Sequence, residues 1–336
     1  MKIFVKMLML ASMMMLLAGT AMAAEYNWTF QSSAQAGDDA YRFEQVWAKW
    51  LEKDSNGRIK VEVLPTNSVV QYTETLDAVG SNIIQGEFTD PSYFAGKDPA
   101  FSLIGNMVGA WSHPSELFDF MENGGGFEIF DNLLNQYGVK LLGVASTGTE
   151  AFLSKKPLHS VADLKGIKLR APQGMVNDVF SAAGAAPVNL PGSEVYTALE
   201  KGVINAADYT VFATNHAQGM HEIAKYPIYP GFHSMPTMQV TLNLDIWKSL
   251  PEDLQTIVKK SVQRFADYQV AEGDKLDKAA VIDAGKKGVT VVSWPKEEVA
   301  KFRKIAQGQW GKWSNSSTAK EFSTAVAKYW KSKGMM

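Results

Sequence analysis

"RIKVEVLP", residues 58–65, decides the class of the fold. Ile59, Val61 and Val63 alternate with charged residues, the period of a strand with one face buried, and Pro65 ends it. Upstream, Asn56-Gly57 closes a helical stretch whose Phe43, Val46, Trp47, Trp50 and Leu51 fall on one side. Asp38 and Asp39 stand where a helix cap belongs, and before them "EYNWTFQSS" reads as another strand. Strand, helix, strand is a crossover unit, which favours parallel pairing and an α/β class.

The pattern recurs downstream. "GVKLLGVAS" and "KGIKLRAP" read as strands, followed by a helix over Met175–Ala183 and another over Glu194–Lys201, stopped by Gly184 and Gly202. "SLPEDLQTIVKKSVQRFADYQV" starts with a capping-box pattern, Ser249 to Glu252. Its stripe of Leu254, Ile257, Val258, Val262 and Phe265 predicts a helix running toward Ala279. "GVTVVSW" reads as a strand in an otherwise helical last third. No low-complexity linker and no repeat divides the chain.

Residues 1–23 have lysines at 2 and 6, an apolar core and an Ala-x-Ala pattern at Ala21 and Ala23, so they read as an export signal cleaved near Ala23. That address implies the periplasm. The 336 residues contain no cysteine, which excludes thiol catalysis and thiolate metal sites. With Lys2 and Lys6 removed, 33 basic against 35 acidic residues becomes 31 against 35, a balance that argues against nucleic acid as a partner. No Gly-x-Ser-x-Gly or His-Glu-x-x-His occurs. His216 and His221 are five apart, off one helical face, and read as polar surface or loop. No catalytic constellation emerges, and an exported enzyme acting on a small acid, with Asp208 or His233 as base, is the weaker alternative.

Arg170 is the last long side chain of its strand before Ala171-Pro172 turns the chain. A guanidinium there offers parallel N–H donors to a carboxylate or sulfonate and stays charged at any physiological pH. Its surroundings carry a resemblance. Asp163–Arg170 follows the form Asp-Leu-Lys-Gly-Leu-Lys-x-Arg, and Ser193–Gly202 follows Ser-Glu-x-Tyr-x-Ala-Leu-x-x-Gly. "YFAGKDPAF" (93–101), "YPGF" (229–232) and "WKSLPEDLQ" (247–255) add to it in order. Together these resemble the periplasmic solute-binding subunits of TRAP (tripartite ATP-independent periplasmic) transporters, the DctP-like family, nearest the branch that binds 2-oxo and 2-hydroxy monocarboxylates.

The resemblance implies a two-lobed periplasmic-binding-protein fold, each lobe a mixed sheet flanked by helices, with a long helix bridging them. It places lobe 1 at 24–147 and 236–277, and lobe 2 at 148–235 and 278–336. It implies a binding subunit, not an enzyme, that serves small and large integral membrane permease subunits. Arg170 matches the family arginine that grips the ligand's acid group. "NAADYT" puts Asp208 and Tyr209 where the branch has an acid and an aromatic. "YPGFHSMP" puts Phe232, His233 and Ser234 where Trp, Trp and Glu are usual, and Glu150 stands where the branch has glutamine.

Ser234 in place of a glutamate removes a negative charge, so a bridging cation is disfavoured, with Asp208 and Glu150 its holders if calcium or sodium is bound. The expected ligand is a small organic anion: a hydroxy or oxo monocarboxylate, or a short sulfonate such as isethionate. It would be held by Arg170, with hydroxyls from Tyr93, Tyr209 and Ser234, and no cofactor. A C4-dicarboxylate-binding subunit and an exported ligand sensor are the alternatives.

Overall fold

The computed structural model describes residues 24–172 and 174–334; the export segment expected at 1–23 lies outside them. Strand β1 (Tyr26–Ser32) passes through helix α1 (Asp39–Asp54) to β2 (Ile59–Leu64), which lies parallel to β1. After α2 (Thr75–Gly80), β3 (Gly86–Thr89) joins the other edge of β1, also parallel. Helices α3 (Ala100–Gly105), α4 (Pro114–Asn123) and α5 (Gly126–Asn135) precede β4 (Val139–Ala145).

The chain then crosses into a second sheet: β5 (Ala151–Ser154), β6 (Lys168–Arg170), α6 (Met175–Ala182), β7 (Ala186–Val188), α7 (Val195–Glu200) and β8 (Ala206–Thr210). Short helices α8 (Phe212–Ala217) and α9 (Met220–Ile223) lead back to β9 (Met238–Asn243). Then come α10 (Leu244–Ser249), α11 (Glu252–Lys286), α12 (Lys296–Trp313) and α13 (Ser317–Lys333). The first sheet runs β2-β1-β3-β9-β4 and the second β5-β8-β6-β7; both are mixed, β9 and β5 being the antiparallel members. This is the two-lobed α/β architecture expected, with its long helix.

Burial explains the helices. On α1, Phe43, Trp47 and Leu51 recur every fourth residue and pack on Phe30 and Phe88 of the first sheet. Each such side chain contributes about 1.5–3 kcal/mol when fully buried. The stripe of α11, from Leu254 through Val258 and Val262 to Phe265 and Ala266, joins the same core. Past that point α11 packs on α8 of the second lobe, where Asp277 accepts a bond from the Ala213 amide at 2.7 Å. Helix α12 packs on α6, while α13 lies on α3 and α5, so the end of the expected second-lobe segment rests on helices of the first.

Three local expectations change. Ser249 does not cap α11: its hydroxyl donates to the Ile246 carbonyl at 2.7 Å, closing α10, and Pro251 occupies the cap position. A proline fixes the first turn without a side-chain acceptor. "GVTVVSW" forms only an isolated bridge, Val292 to Ile228, because no neighbouring strand extends it. His216 and His221 are packed together instead of standing on the surface. Their Nδ1 atoms are 3.2 Å apart, His216 also bonds Asp283, and burial with the neighbouring ring presses His221 down to about 3.

The opposite face of the first sheet is polar although buried. Gln31, Glu87 and Thr241 are register neighbours, and Glu87 accepts from Gln239 Nε2 at 2.5 Å. Burial pushes Glu87 up to about 7, against bonds from Thr75, Gln239 and Thr241 that favour its ionised form. Below about pH 4.5 folded and unfolded chains both hold this proton; between there and pH 7 only the folded chain does, so stability falls as pH rises through that window. Glu87→Gln should therefore stabilise the protein at pH 8 by roughly 2–3 kcal/mol in urea unfolding, with the gain gone below about pH 4.5.

Candidate functional site

Between the lobes lies a cavity of about 200 Å³. Its first-lobe wall includes Ser33, Asp38, Phe43, Asp90 and Tyr93, its second-lobe wall Glu150, Tyr209 and Thr214, and α11 closes one side. The C-terminal ends of β1 and β3 open onto it, the usual location of a ligand crevice in parallel sheets. A second recess of about 370 Å³ shares Asp38, Tyr209 and Thr214 and opens outward. At their junction Gln218 of the second lobe donates to Asp38 of the first at 3.1 Å.

Arg170 ends β6 beside β8, paired with Ala207 in the ladder. Its Nε donates to the Leu190 carbonyl at 3.1 Å and its Nη1 to the Asp208 carbonyl at 2.7 Å. Two main-chain acceptors on different segments fix the plane of the guanidinium. The half-buried group lies 5.9 Å from the Tyr209 ring centre, so tyrosine and arginine face the same space. Arg170 itself stands behind the cavity wall rather than in it.

Next to it is a buried acid cluster. Asp208 Oδ1 accepts from His233 Nε2 at 2.6 Å, and Glu150 shares a hydrogen bond with Asp208. None of the three is more than 7 % exposed. Burial, then the Asp208 charge, pushes Glu150 well above the ordinary carboxyl range, so Glu150 is the protonated partner. Burial raises Asp208 as well, but His233, the bond from Glu150 and Arg170 outweigh it and hold Asp208 below its usual value. The pair therefore shares one proton, the arrangement two close carboxyls adopt.

The remaining expected residues divide. Tyr93 and Tyr209 line the cavity, Tyr93 40 % exposed and edge-on to Tyr72. Ser234 is fully buried and turned away: its Oγ accepts from Asn106 Nδ2 at 3.0 Å, and its carbonyl accepts from the Glu150 amide. Phe232 is a core side chain, stacked on Trp294 at 3.9 Å and edge-on to Phe302. Apolar neighbours on both faces leave it no cavity surface. Gly231 is where the crossover passes the Glu150 backbone; a Cβ there would collide with the Glu150 carbonyl.

Asp90 and Gln269 line the cavity without having been singled out from the sequence. Gln269 follows Phe265 by four residues and thus continues the buried stripe of α11, a polar residue on an apolar face. That break in pattern was its readable signal. Glu150, Asp208 and His233 are also the one cluster, among the described residues, of at least three groups able to hold a metal.

Replacing Asp208 by asparagine should cost about 3 kcal/mol of stability, because His233 loses its charged acceptor inside the protein. Glu150→Gln should cost less than about 1 kcal/mol, since an amide N–H donates in place of the acid proton. Urea unfolding of both variants at pH 7 measures the difference.

A family model described as "Bacterial extracellular solute-binding protein, family 7" (DctP) matches residues 30–316. A TRAP periplasmic solute-binding protein from Rhodobacter sphaeroides, solved as an apo open structure, superimposes with a TM-score of 0.81 at 46 % identity, over 93 % of this chain and 99 % of that one. The monocarboxylate 2-oxoacid-binding periplasmic protein of a Nostoc species is 29 % identical over 261 residues, 77 % of this chain and 71 % of that protein. A TRAP solute-binding protein from Colwellia psychrerythraea, solved with calcium and pyruvate, is 25 % identical with a TM-score of 0.79, over 90 % of this chain and 94 % of that one.

Proposed function

The chain belongs to family 7 of the bacterial extracellular solute-binding proteins, TRAP transport receptors that bind small organic anions and are not enzymes, and from that membership we propose a ligand class. The ligand is a small singly charged acid, either a 2-oxo or 2-hydroxy monocarboxylate or a short sulfonate such as isethionate. The carrying observation is Arg170, its guanidinium held by two main-chain carbonyls just behind the wall of the interlobe cavity, with the Tyr209 ring that lines the cavity 5.9 Å away. Pre-fixing the fork removes much of the ordering cost that binding would otherwise incur. As the lobes close, its remaining N–H edge faces the acid group, while Tyr93 and Tyr209 supply hydroxyls from opposite walls. The bound receptor then delivers its cargo to small and large permease subunits. The likeness to the Nostoc protein and to the pyruvate-bound Colwellia structure supports the carboxylate reading.

A calcium ion, present with pyruvate in the Colwellia structure, finds few oxygen ligands in this cluster. Hard cations take about six or more oxygen ligands. Here the cluster offers two carboxyls and an imidazole nitrogen, Asp208 is engaged by His233 and Glu150, and the Ser234 hydroxyl is spent on Asn106. We therefore propose that Arg170 captures the acid directly, with Asp208 held inside the protein by its bonds from His233 and Glu150 and with no metal ion between. Dialysis against a chelator should change acid affinity by less than about twofold, and a loss of about tenfold or more in calorimetry would restore the metal-bridged reading.

Arg170→Ala should weaken binding of pyruvate, lactate or isethionate, whichever binds in a thermal-shift panel, by roughly ten- to a hundredfold. Calorimetry measures it, and unchanged affinity refutes the assignment. Arg170→Lys should rescue little, because a single ammonium cannot span both carbonyls and an acid.

A further inference from the structure

Helix α11 carries a notch where it passes the cavity. Gln269, Gly273 and Leu276 recur at i, i+4 and i+7 and all line it. Gly273 sits deep inside a 35-residue helix, where glycine costs about 1 kcal/mol relative to alanine. Nothing in the packing demands a glycine there: an added Cβ would meet only the Thr147 carbonyl, at 3.6 Å. Its effect is to leave space on the cavity side, one helical turn from Gln269.

Gln269 is fully buried, and neither its Nε2 nor its Oε1 has a hydrogen-bond partner among the described residues. A buried amide left so costs about 1–3 kcal/mol. Asp38, which lines the same cavity, is already engaged by Gln218 and the Gln35 amide. Two local costs thus coincide at one spot facing the cavity.

We propose that Gln269 is a specificity-determining residue: its amide pairs with an uncharged hydroxyl or carbonyl of the ligand, remote from the acid group and seated in the space beside Gly273. This rests on the acid-binding reading above and narrows it. A primary amide offers a donor and an acceptor without charge, which matches a hydroxyl as both acceptor and donor. A second carboxylate would enter a cavity that Asp38 and Asp90 already line with acidic side chains. The site therefore selects a monoacid with a distal neutral polar group and rejects the dicarboxylate.

Calorimetry with 3-hydroxypropionate, propionate and malonate tests this, with isethionate and ethanesulfonate repeating the comparison for a sulfonate head. The wild-type protein should prefer each hydroxylated acid over its plain counterpart by about tenfold or more, and bind malonate worst. In Gln269→Leu that ratio should fall to near one, while Arg170→Ala weakens every ligand together. Gln269→Met, longer and unbranched, supplies the same reading where the leucine variant unfolds. A wild-type ratio near one, or a ratio unchanged in the Gln269 variants, overturns the inference and leaves the acid-binding reading standing. Wild-type protein that binds pyruvate or lactate but none of the five overturns this inference alone, and protein that binds none of the seven overturns the acid-binding reading and this inference with it.

Discussion

The bond between His233 and Asp208 joins two pieces of chain that must meet for either lobe to be complete. Asp208 belongs to β8, and His233 lies on the crossover that carries the chain back to the first sheet. Neither side chain is water-exposed, so the pair resists substitution on one side only: removing one partner strands the other. Around it, Glu150 adds its proton and donates its amide to the Ser234 carbonyl, and Arg170 reaches the main chain of the same Asp208. One strand residue thus sets the position of the arginine through its carbonyl and the position of the crossover through its carboxylate. The placement of the Arg170 fork and the packing of the crossover are the same structure.

That coupling explains why the lobes are not independent bodies. A single apolar cluster runs from Phe101 and Leu141 of the first lobe to Leu169 and Phe180 of the second. The C-terminal helices complete it: Phe302 on α12 meets Phe180, and Phe322 on α13 meets Phe120.

Much of the architecture was legible in apolar periodicity, because β1, α1 and β2 each bury one face against a neighbour close in sequence. Arg170 was legible for a different reason: a proline two residues on terminates its strand and leaves a long cation at the end. Positions whose environment comes from distant chain were harder. Phe232 is a core residue only because Trp294 and Phe302 arrive more than sixty residues later. His221 is buried under Phe212 and His216, a packing that spacing along one helix does not encode. Ser249 follows a valid capping pattern, but α10 ends there first and takes its hydroxyl. Gln269 was visible as a polar break in a stripe, yet only the cavity beside it tells such a break from a hydrogen-bonded core residue.

The long helix divides its allegiance. Up to Ala266 its buried side chains belong to the first lobe; from Asp277 its bonds are to the second, and Gly273 lies between. Were one half to turn against the other about this stretch, the arc travelled by a point would grow with its distance from the axis, and groups beside Gly273 would travel least. A guest seated there would keep its seat while the jaws swing, and docking and enclosure would then be separable events in time.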